Sequence, residues 1–356
     1  MKNALYVTSL HAFSGKTSLC LGLGRHFQDD GLEVGYLKPL STQSWQTGQL
    51  IDEDAVFVRR VLKLAEMPQD LVGVVLTREL LMGKLTGEST VRLIDQVKKA
   101  FARVSGDKDI VLLEGGASLR DGFSVGLGTP IVAESMDVPA LAVSAFSDRL
   151  SLLDDFVVAR LRLGENLIGV VANEVPENEI EFIEEVARPY LERRGIPLLG
   201  ILPMREELQA ISIAELAEIL NGEFLVGEEQ KGLLIENLVV GAMHVAQALP
   251  RIRRIAGTKA VITGGDRVDM HYAALETSVS CLILTGHLRP NAEVLSRAEE
   301  LGVAVLLVRE NTMETVEAIE RVFGKTRLGQ PSKLQEFETL LTEHFDFERL
   351  YAGLNE

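Results

Sequence analysis

Short apolar runs without polar alternation, each followed by an amphipathic stretch, constrain this chain more than any other feature. Ala4–Thr8, Val34–Leu37, Ile110–Leu113, Ala140–Val143, Leu167–Ala172 and Leu198–Leu202 read as strands buried on both faces. Thr17–Gln28, Asp54–Leu64, Thr90–Val104, Leu150–Leu163 and Glu179–Arg194 read as the helices between them. Such strands joined by helices predict an α/β fold, a parallel sheet with helices on both faces. Strand-to-helix loops then gather at one edge of the sheet, where ligands bind.

The alternation pauses after Pro203. The stretch from Met204 to Lys231 reads as a helix and turns, with Asn221-Gly222 and Gly227 as breakers. It then resumes on a smaller scale. Val239–Gly241, Ala260–Thr263, Cys281–Thr285 and Val303–Val308 read as strands, and Val245–Ile255, Met270–Glu276, Ala292–Leu301 and Thr315–Phe323 as helices. A last helix, Lys333–His344, follows Pro331-Ser332. The expected organisation is one domain over residues 1–210, a second over 211–328 and a C-terminal helix over 329–356. A length of 356 residues with 46% hydrophobic suits two such domains, with core enough to fold without a staple.

Charge narrows the partners. The 36 Lys and Arg stand against 52 Asp and Glu, a formal net charge of −16 that repels phosphate backbones and anionic membranes. Neither a nucleic acid nor a membrane is expected as partner. No apolar run approaches the ~18 residues of a spanning helix, and the N-terminus runs straight into a loop motif, so a cytoplasmic protein is expected. Cys20 and Cys281 lie far apart in no metal-ligand spacing and read as buried small hydrophobes.

The most informative loop is Thr8-Ser9-Leu10-His11-Ala12-Phe13-Ser14-Gly15-Lys16-Thr17, which leaves a strand and opens a helix. Amide groups at a helix N-terminus cradle phosphate oxygens, and the helix dipole favours their charge. Gly15 lets the backbone come close, Lys16 reaches the β and γ phosphates, and the Thr17 hydroxyl suits Mg2+. Leu10 stands where the usual first glycine would be. His11 reads as a loop residue rather than a base. Glu114 closes a buried strand before Gly115-Gly116, and a carboxylate there is costly unless it meets a cation. Asp54 opens a helix; Asp52 and Glu53 read as surface or helix-cap acids. Trp45, in the polar segment Ser41–Gln49, reads as a loop anchor.

Together these residues resemble the dethiobiotin synthetase branch of the phosphate-loop proteins over about residues 4–205. The loop Thr8–Thr17 has that family's length. Tyr36-Leu37-Lys38-Pro39 resembles its second-strand Lys-Pro, Asp54-Ala55 its Asp-Ala helix start, and Glu114-Gly115-Gly116 its Glu-Gly strand end. Val171-Ala172-Asn173 is similar to its Ala-Asn, and Gly200-Ile201-Leu202-Pro203 to its closing Gly-x-x-Pro. The resemblance implies that Ser14, Gly15, Lys16, Thr17 and Ser18 hold the phosphates of ATP. It implies that Thr17, Asp54 and Glu114 ligate Mg2+, that Lys16 and Lys38 neutralise phosphates or an attacking carboxylate, and that Asn173 bonds the base. The chain departs from the family in His11-Ala12-Phe13-Ser14, in Ala117–Leu127 with its Arg120 and Asp121, and in Ser144–Arg149. Those parts recognise the family's diamine substrate, so the nucleotide half is kept and the biotin-pathway half is not.

The second unit, with Val240-Gly241-Ala242-Met243, Thr263-Gly264-Gly265-Asp266-Arg267-Val268-Asp269 and Leu284-Thr285-Gly286, resembles a DRTGG domain over roughly residues 215–325. His287 stands where relatives often have a second glycine. Gly265, Asp266, Arg267 and Thr285 are a candidate anion site; equally, Asp266 and Arg267 can form a structural pair, with Asp269 capping the next helix. Long bacterial phosphotransacetylases carry this pair of domains upstream of an acetyltransferase domain, and the expectation here is the front half without that domain. The resemblance implies a Mg-ATP-binding regulatory or sensing protein, with slow hydrolysis allowed but not required. It also implies a homodimer, working beside an enzyme of acetate metabolism. The rival is an ATP-dependent ligase of the dethiobiotin synthetase type, activating a carboxylate or carbamate. A scaffold whose loop no longer binds nucleotide is the third reading.

Overall fold

The computed structural model describes residues 4–42, 52–205, 208, 210–241, 243–323, 328 and 331–355. Trp45 and Ala242 lie outside them. The chain divides into two compact units, residues Met1–Met204 with Leu334–Glu356, and Arg205–Lys333.

The first unit is built on β1 (Ala4–Ser9), β2 (Val34–Ser41), β3 (Val72–Val75), β4 (Ile110–Glu114), β5 (Ala140–Ala145), β6 (Leu167–Val175) and β7 (Leu198–Pro203). They form one seven-stranded sheet in the order β3-β2-β4-β1-β5-β6-β7, with every pairing parallel. Every residue of β1, β2 and β4 is buried, their apolar runs and the polar Lys38 and Glu114 alike. The helices are α1 (Lys16–Asp29), α2 (Glu53–Val61), α3 (Arg78–Leu85), α4 (Leu93–Val104), α5 (Thr129–Met136), α6 (Arg149–Leu163), α7 (Glu177–Phe182) and α8 (Arg188–Glu192). A π turn, Ile183–Ala187, separates the last two.

Strand order places the site. From β1 the chain goes outward to β2 and β3, returns to β4 between β2 and β1, then crosses β1 to reach β5. The loops after β1 and β4 therefore leave neighbouring strand ends at the point where the winding reverses, the crevice in which open α/β sheets bind ligands. The far edge is protected by the C-terminal chain. Phe345 bridges to Gly200 of β7 in antiparallel fashion, which blunts an otherwise open strand edge.

The second unit has β8 (Ile211–Ser212), α9 (Ile213–Ile219), β9 (Glu223–Val226), β10 (Leu234–Ile235), β11 (Asn237–Val240), α10 (Val245–Arg254), β12 (Lys259–Gly264), α11 (Val268–Leu275), β13 (Cys281–Thr285), α12 (Ala292–Glu300), β14 (Ala304–Leu307) and α13 (Thr312–Phe323). Its sheet runs β11-β12-β13-β14-β9, parallel except for β9 at the edge. Both faces are covered. Ala248, Ile252, Met270, Ala274, Val294 and Ala298, from α10 to α12, pack on one face. Ile213, Leu216 and Ile319, from α9 and α13, pack on the other. Two helices close the chain, α14 (Pro331–His344) and α15 (Phe347–Asn355).

These are the expected classes, a parallel-sheet phosphate-loop domain and a smaller α/β domain. Several short elements differ from expectation. The stretch after Pro203 holds β8, β9 and β10 beside a helix, α3 and α5 occupy segments to which the sequence reading assigned no element, and the C-terminus is two helices rather than one. No helix among the described residues is long and apolar enough to cross a membrane.

Candidate functional site

The loop between β1 and α1 is braced by its own hydroxyls. Ser9 Oγ and Ser14 Oγ both donate to the His11 carbonyl, at 2.7 and 2.9 Å. Its left-handed positions fall on Phe13 and Gly15, at φ 59 and 90°, and not on Leu10. The absent first glycine therefore costs the loop no backbone strain at that place. Gly15 precedes α1 with no side-chain cap, which leaves the first-turn amides to a ligand.

Lys16 opens that helix and turns back into the loop. Its ammonium is buried and donates to Ser9 Oγ at 2.7 Å and to the Ala117 carbonyl at 3.3 Å, both neutral oxygens. Burial pushes its pKa down, against the pull of the Glu114 carboxylate. Beside it Thr17 Oγ1 donates to Glu114 Oε1 at 2.6 Å, and the Tyr36 hydroxyl donates to Glu114 Oε2 at 2.8 Å. Glu114 is buried at the end of β4, and burial raises its pKa against the Lys38 ammonium.

Lys38, on β2, is almost wholly buried. Its Nζ lies 3.2 Å from both oxygens of Asp52 and 2.5 Å from Asp54 Oδ2. Burial alone would lower its pKa; Asp54 and Asp52 override that and raise it. Asp52 caps α2, as one of the two expected roles has it, but it is no surface acid. Its side chain is 0% exposed, and it accepts from Ser41 Oγ at 2.5 Å and from the Ala55 amide at 3.1 Å. Asn173, toward the end of β6, donates through Nδ2 to the Ser14 carbonyl at 3.2 Å and lies against Gly15. Ser18 follows in the first turn of α1, half-buried.

The strand ends thus bring Ser14, Gly15, Lys16, Thr17, Ser18, Glu114 and Asn173 together, with Lys38 and Asp54 on the β2 side. Sequence reasoning passed over Tyr36, Asp52 and Ser9. Tyr36 was legible in principle, since it lies two residues before Lys38 on a strand and so shares its face. His11 lies on the outer side of the loop, its Nε2 2.9 Å from Asp155 Oδ1, with Ser144 Oγ bonded to Oδ2.

A small hard cation takes oxygen ligands, one or two carboxylates and the rest from phosphates and water. The Thr17 hydroxyl and the Glu114 carboxylate, 2.6 Å apart, are donors of that kind. Among the described residues no group of three or more His, Cys, Asp or Glu could hold a metal by itself. The donor set fits Mg2+ brought in with a phosphate chain.

In the second unit, the Gly265 amide donates to the Thr285 carbonyl at 3.1 Å, joining two neighbouring strand ends. A Cβ on Gly265 would meet the Leu288 carbonyl at 1.8 Å, so only glycine fits. Arg267 pairs with Asp269, at 3.1 Å, and with the Met243 carbonyl; Asp266 is not its partner. Asp269 lies inside the first turn of α11, whose N-terminus has no side-chain cap. One reading is corrected by this: the side-chain pair at the turn is Arg267 with Asp269, not with Asp266. Thr285 Oγ1 meets the Thr263 carbonyl and Thr312 Oγ1, at 3.3 and 2.9 Å. His287 takes the left-handed conformation, φ 55°, that a glycine would hold without strain.

Comparison with known proteins places two families along the chain. A family described as an AAA domain matches residues 3–212, and one described as a DRTGG domain matches residues 215–322. The chain belongs to that AAA domain family, the dethiobiotin synthetase-like type of phosphate-loop domain, with a DRTGG domain behind it. The pair matches the N-terminal part of phosphate acetyltransferases. The chain is 24% identical to the phosphate acetyltransferase of Nitratidesulfovibrio vulgaris, over 99% of its own length and 52% of that enzyme. It is 25% identical to that of Pseudomonas aeruginosa, over 94% of its length and 50% of the enzyme. It therefore spans about half the length of the curated relatives it matches. Among solved structures, the CBS and DRTGG regulatory region of Clostridium perfringens pyrophosphatase, complexed with diadenosine tetraphosphate, is 22% identical. That match covers 38% of this chain and 67% of the other at a TM-score of 0.28, too slight a likeness to bear on fold or ligand.

Proposed function

We propose that this chain is a Mg-ATP-binding regulatory or sensing module of the phosphate acetyltransferase N-terminal type. The observation that carries the reading is Lys16. A buried ammonium held by neutral oxygens is poorly compensated, and an anionic phosphate supplies the missing charge. The uncapped amides of α1 favour the same ligand. In this reading Ser14 to Ser18 hold the phosphates, Asn173 bonds the base, and Lys38 faces the terminal phosphate. Thr17, Glu114 and Asp54 would hold Mg2+, whose charge offsets that of the phosphates. Contacts of the γ-phosphate at Gly15–Thr17 bias the conformation of the chain, and that bias is the signal. The reading extends to a homodimer in the cytoplasm working beside an enzyme of acetate metabolism, and the relatives' name supports only the last of these.

Calorimetric titration of the full chain with ATP, with and without Mg2+, tests this. Mg2+-dependent binding is expected, and Lys16→Ala should weaken it by about tenfold or more, the worth of a charge-assisted hydrogen bond. An unchanged affinity in that variant would sink the reading. Phosphate release that depends on a carboxylic or diamine substrate would instead mark a ligase.

A further inference from the structure

We propose that His11 is a catalytic base, oriented by Asp155, which takes the proton of a hydroxyl group as that oxygen attacks the terminal phosphate of ATP. The hydroxyl belongs to water or to a small alcohol. The inference rests on the Mg-ATP reading above and deepens it.

On sequence His11 is one more loop residue, because its partner stands 144 residues further along the chain. His11 Nε2 lies 2.9 Å from Asp155 Oδ1, and Ser144 Oγ, from β5, donates to Asp155 Oδ2 at 2.5 Å. The Asp155 side chain, on α6, is 15% exposed and that of His11 is 68% exposed. The acid is fixed and the imidazole stands open. An ionised carboxylate only accepts, so Nε2 of the neutral ring carries the proton and Nδ1 keeps its lone pair. Nδ1 has no partner among the described residues. One ring nitrogen held by a carboxylate and the other open is the arrangement of a general base with its orienting group.

The ring lines a cavity of about 700 Å3, a volume that suits a small molecule. The other walls include Ala117, Arg120 and Phe123 from the loop after β4, and Asp154 and Val158 from α6. Ala117 joins this cavity to the phosphate site, since its carbonyl accepts from the Lys16 ammonium at 3.3 Å. The His11 carbonyl accepts from Ser9 Oγ and Ser14 Oγ, which fixes the backbone beneath the ring. A proton acceptor in this place selects the nucleophile. A carboxylate has no proton to lose, whereas a hydroxyl is a weak nucleophile until its proton is taken. In the step itself the hydroxyl oxygen bonds to the γ-phosphorus, and the bond from that phosphorus to the β–γ bridging oxygen breaks. ADP leaves with the electron pair, and the hydroxyl proton passes to His11 Nδ1 and then to solvent.

The test is a single turnover of Mg-ATP on an excess of the full chain, first in water and then with glycerol. Free phosphate in the first arm makes water the acceptor, and glycerol phosphate in the second makes it an alcohol; either supports the base. His11→Ala should slow the reaction by about 100-fold or more, the usual worth of a general base. Its ATP affinity, read by calorimetry, should move little, because the backbone carbonyl that holds Ser9 and Ser14 remains. Added imidazole should restore part of the lost rate, which a purely structural histidine would not show. Asp155→Asn, whose amide can donate to Nε2 and so put the ring proton on Nδ1, should slow the reaction by a similar factor. Adding His11→Ala to it should slow the reaction no further, because the two act as a unit. A chain that binds Mg-ATP and yields neither product overturns the inference. So does an undiminished rate in His11→Ala, or a loss there that imidazole leaves unchanged. No binding of Mg-ATP defeats the Mg-ATP reading itself and this step with it, a result distinct from the others.

Discussion

Gly15 answers two demands at once. Its φ of 90° suits glycine, and a Cβ there would lie 2.3 Å from Asn173 Nδ2. Gly15→Ala should cost about 1–3 kcal/mol in strain and abolish measurable ATP binding. Adding Asn173→Ala should recover part of the lost stability, since it removes the clash but not the backbone strain; thermal melting of both variants checks this. His271 makes the opposite kind of demand. It is fully buried on α11, with Nε2 2.9 Å from the Gly264 carbonyl and Nδ1 without a partner among the described residues. The carbonyl can only accept, so Nε2 carries the proton of a neutral ring. Burial holds its pKa below the ordinary 6.5. The unfolded chain therefore takes up the proton first, so the stabilisation is whole above about pH 6.5 and falls as pH drops below it. Melting temperatures between pH 7.5 and 5 should fall less steeply for His271→Gln than for the parent chain.

At the scale of elements, length and punctuation decided what could be read. β1, β4 and β6 are apolar runs ended by a loop signal, and α1 follows a glycine, so each is visible alone. β3 is four residues, Val-Gly-Val-Val, and is a strand because β2 pairs with it; a Cβ on Gly73 would meet the Pro39 carbonyl at 2.8 Å. β9 is a half-exposed edge, Glu-Phe-Leu-Val, that exists through β14. α5 begins Thr-Pro, and proline suits the first turn of a helix, but its eight residues carry too short a pattern to be read alone. The terminal helix α15 is tied to its neighbours by contacts far along the chain. Arg349 meets Glu192 with both guanidinium nitrogens, at 2.8 and 3.0 Å, and Phe347 stacks on His26 at 3.5 Å. The pair is more than a third exposed on the arginine side, so screening limits its worth. Arg349→Ala should lower the melting temperature by about 1–3 °C, and less in 1 M salt.

At the scale of the molecule, the charge of −16 sets what the chain will not bind unaided. A short DNA duplex at low salt should show no shift on a gel at micromolar protein, while ATP binding persists, because one cationic pocket can hold a phosphate chain against a repulsive surface. The two α/β units and the loop between β1 and α1 follow from the sequence by itself, since strand, loop and helix are local patterns set by side-chain periodicity and by glycine. Lys16, Thr17 and Glu114 could be named for the same reason, each standing at the end of an element. Which oxygen meets which nitrogen was decided by the tertiary structure alone. Tyr36 reaches Glu114 across 78 residues and Asn173 reaches Ser14 across 159, contacts that exist because the sheet sets β2 beside β4 and β6 two strands from β1. Asp52 belongs with them. A cap acid is ordinary in a sequence, and only the burial of Lys38 beneath it makes that carboxylate part of the site.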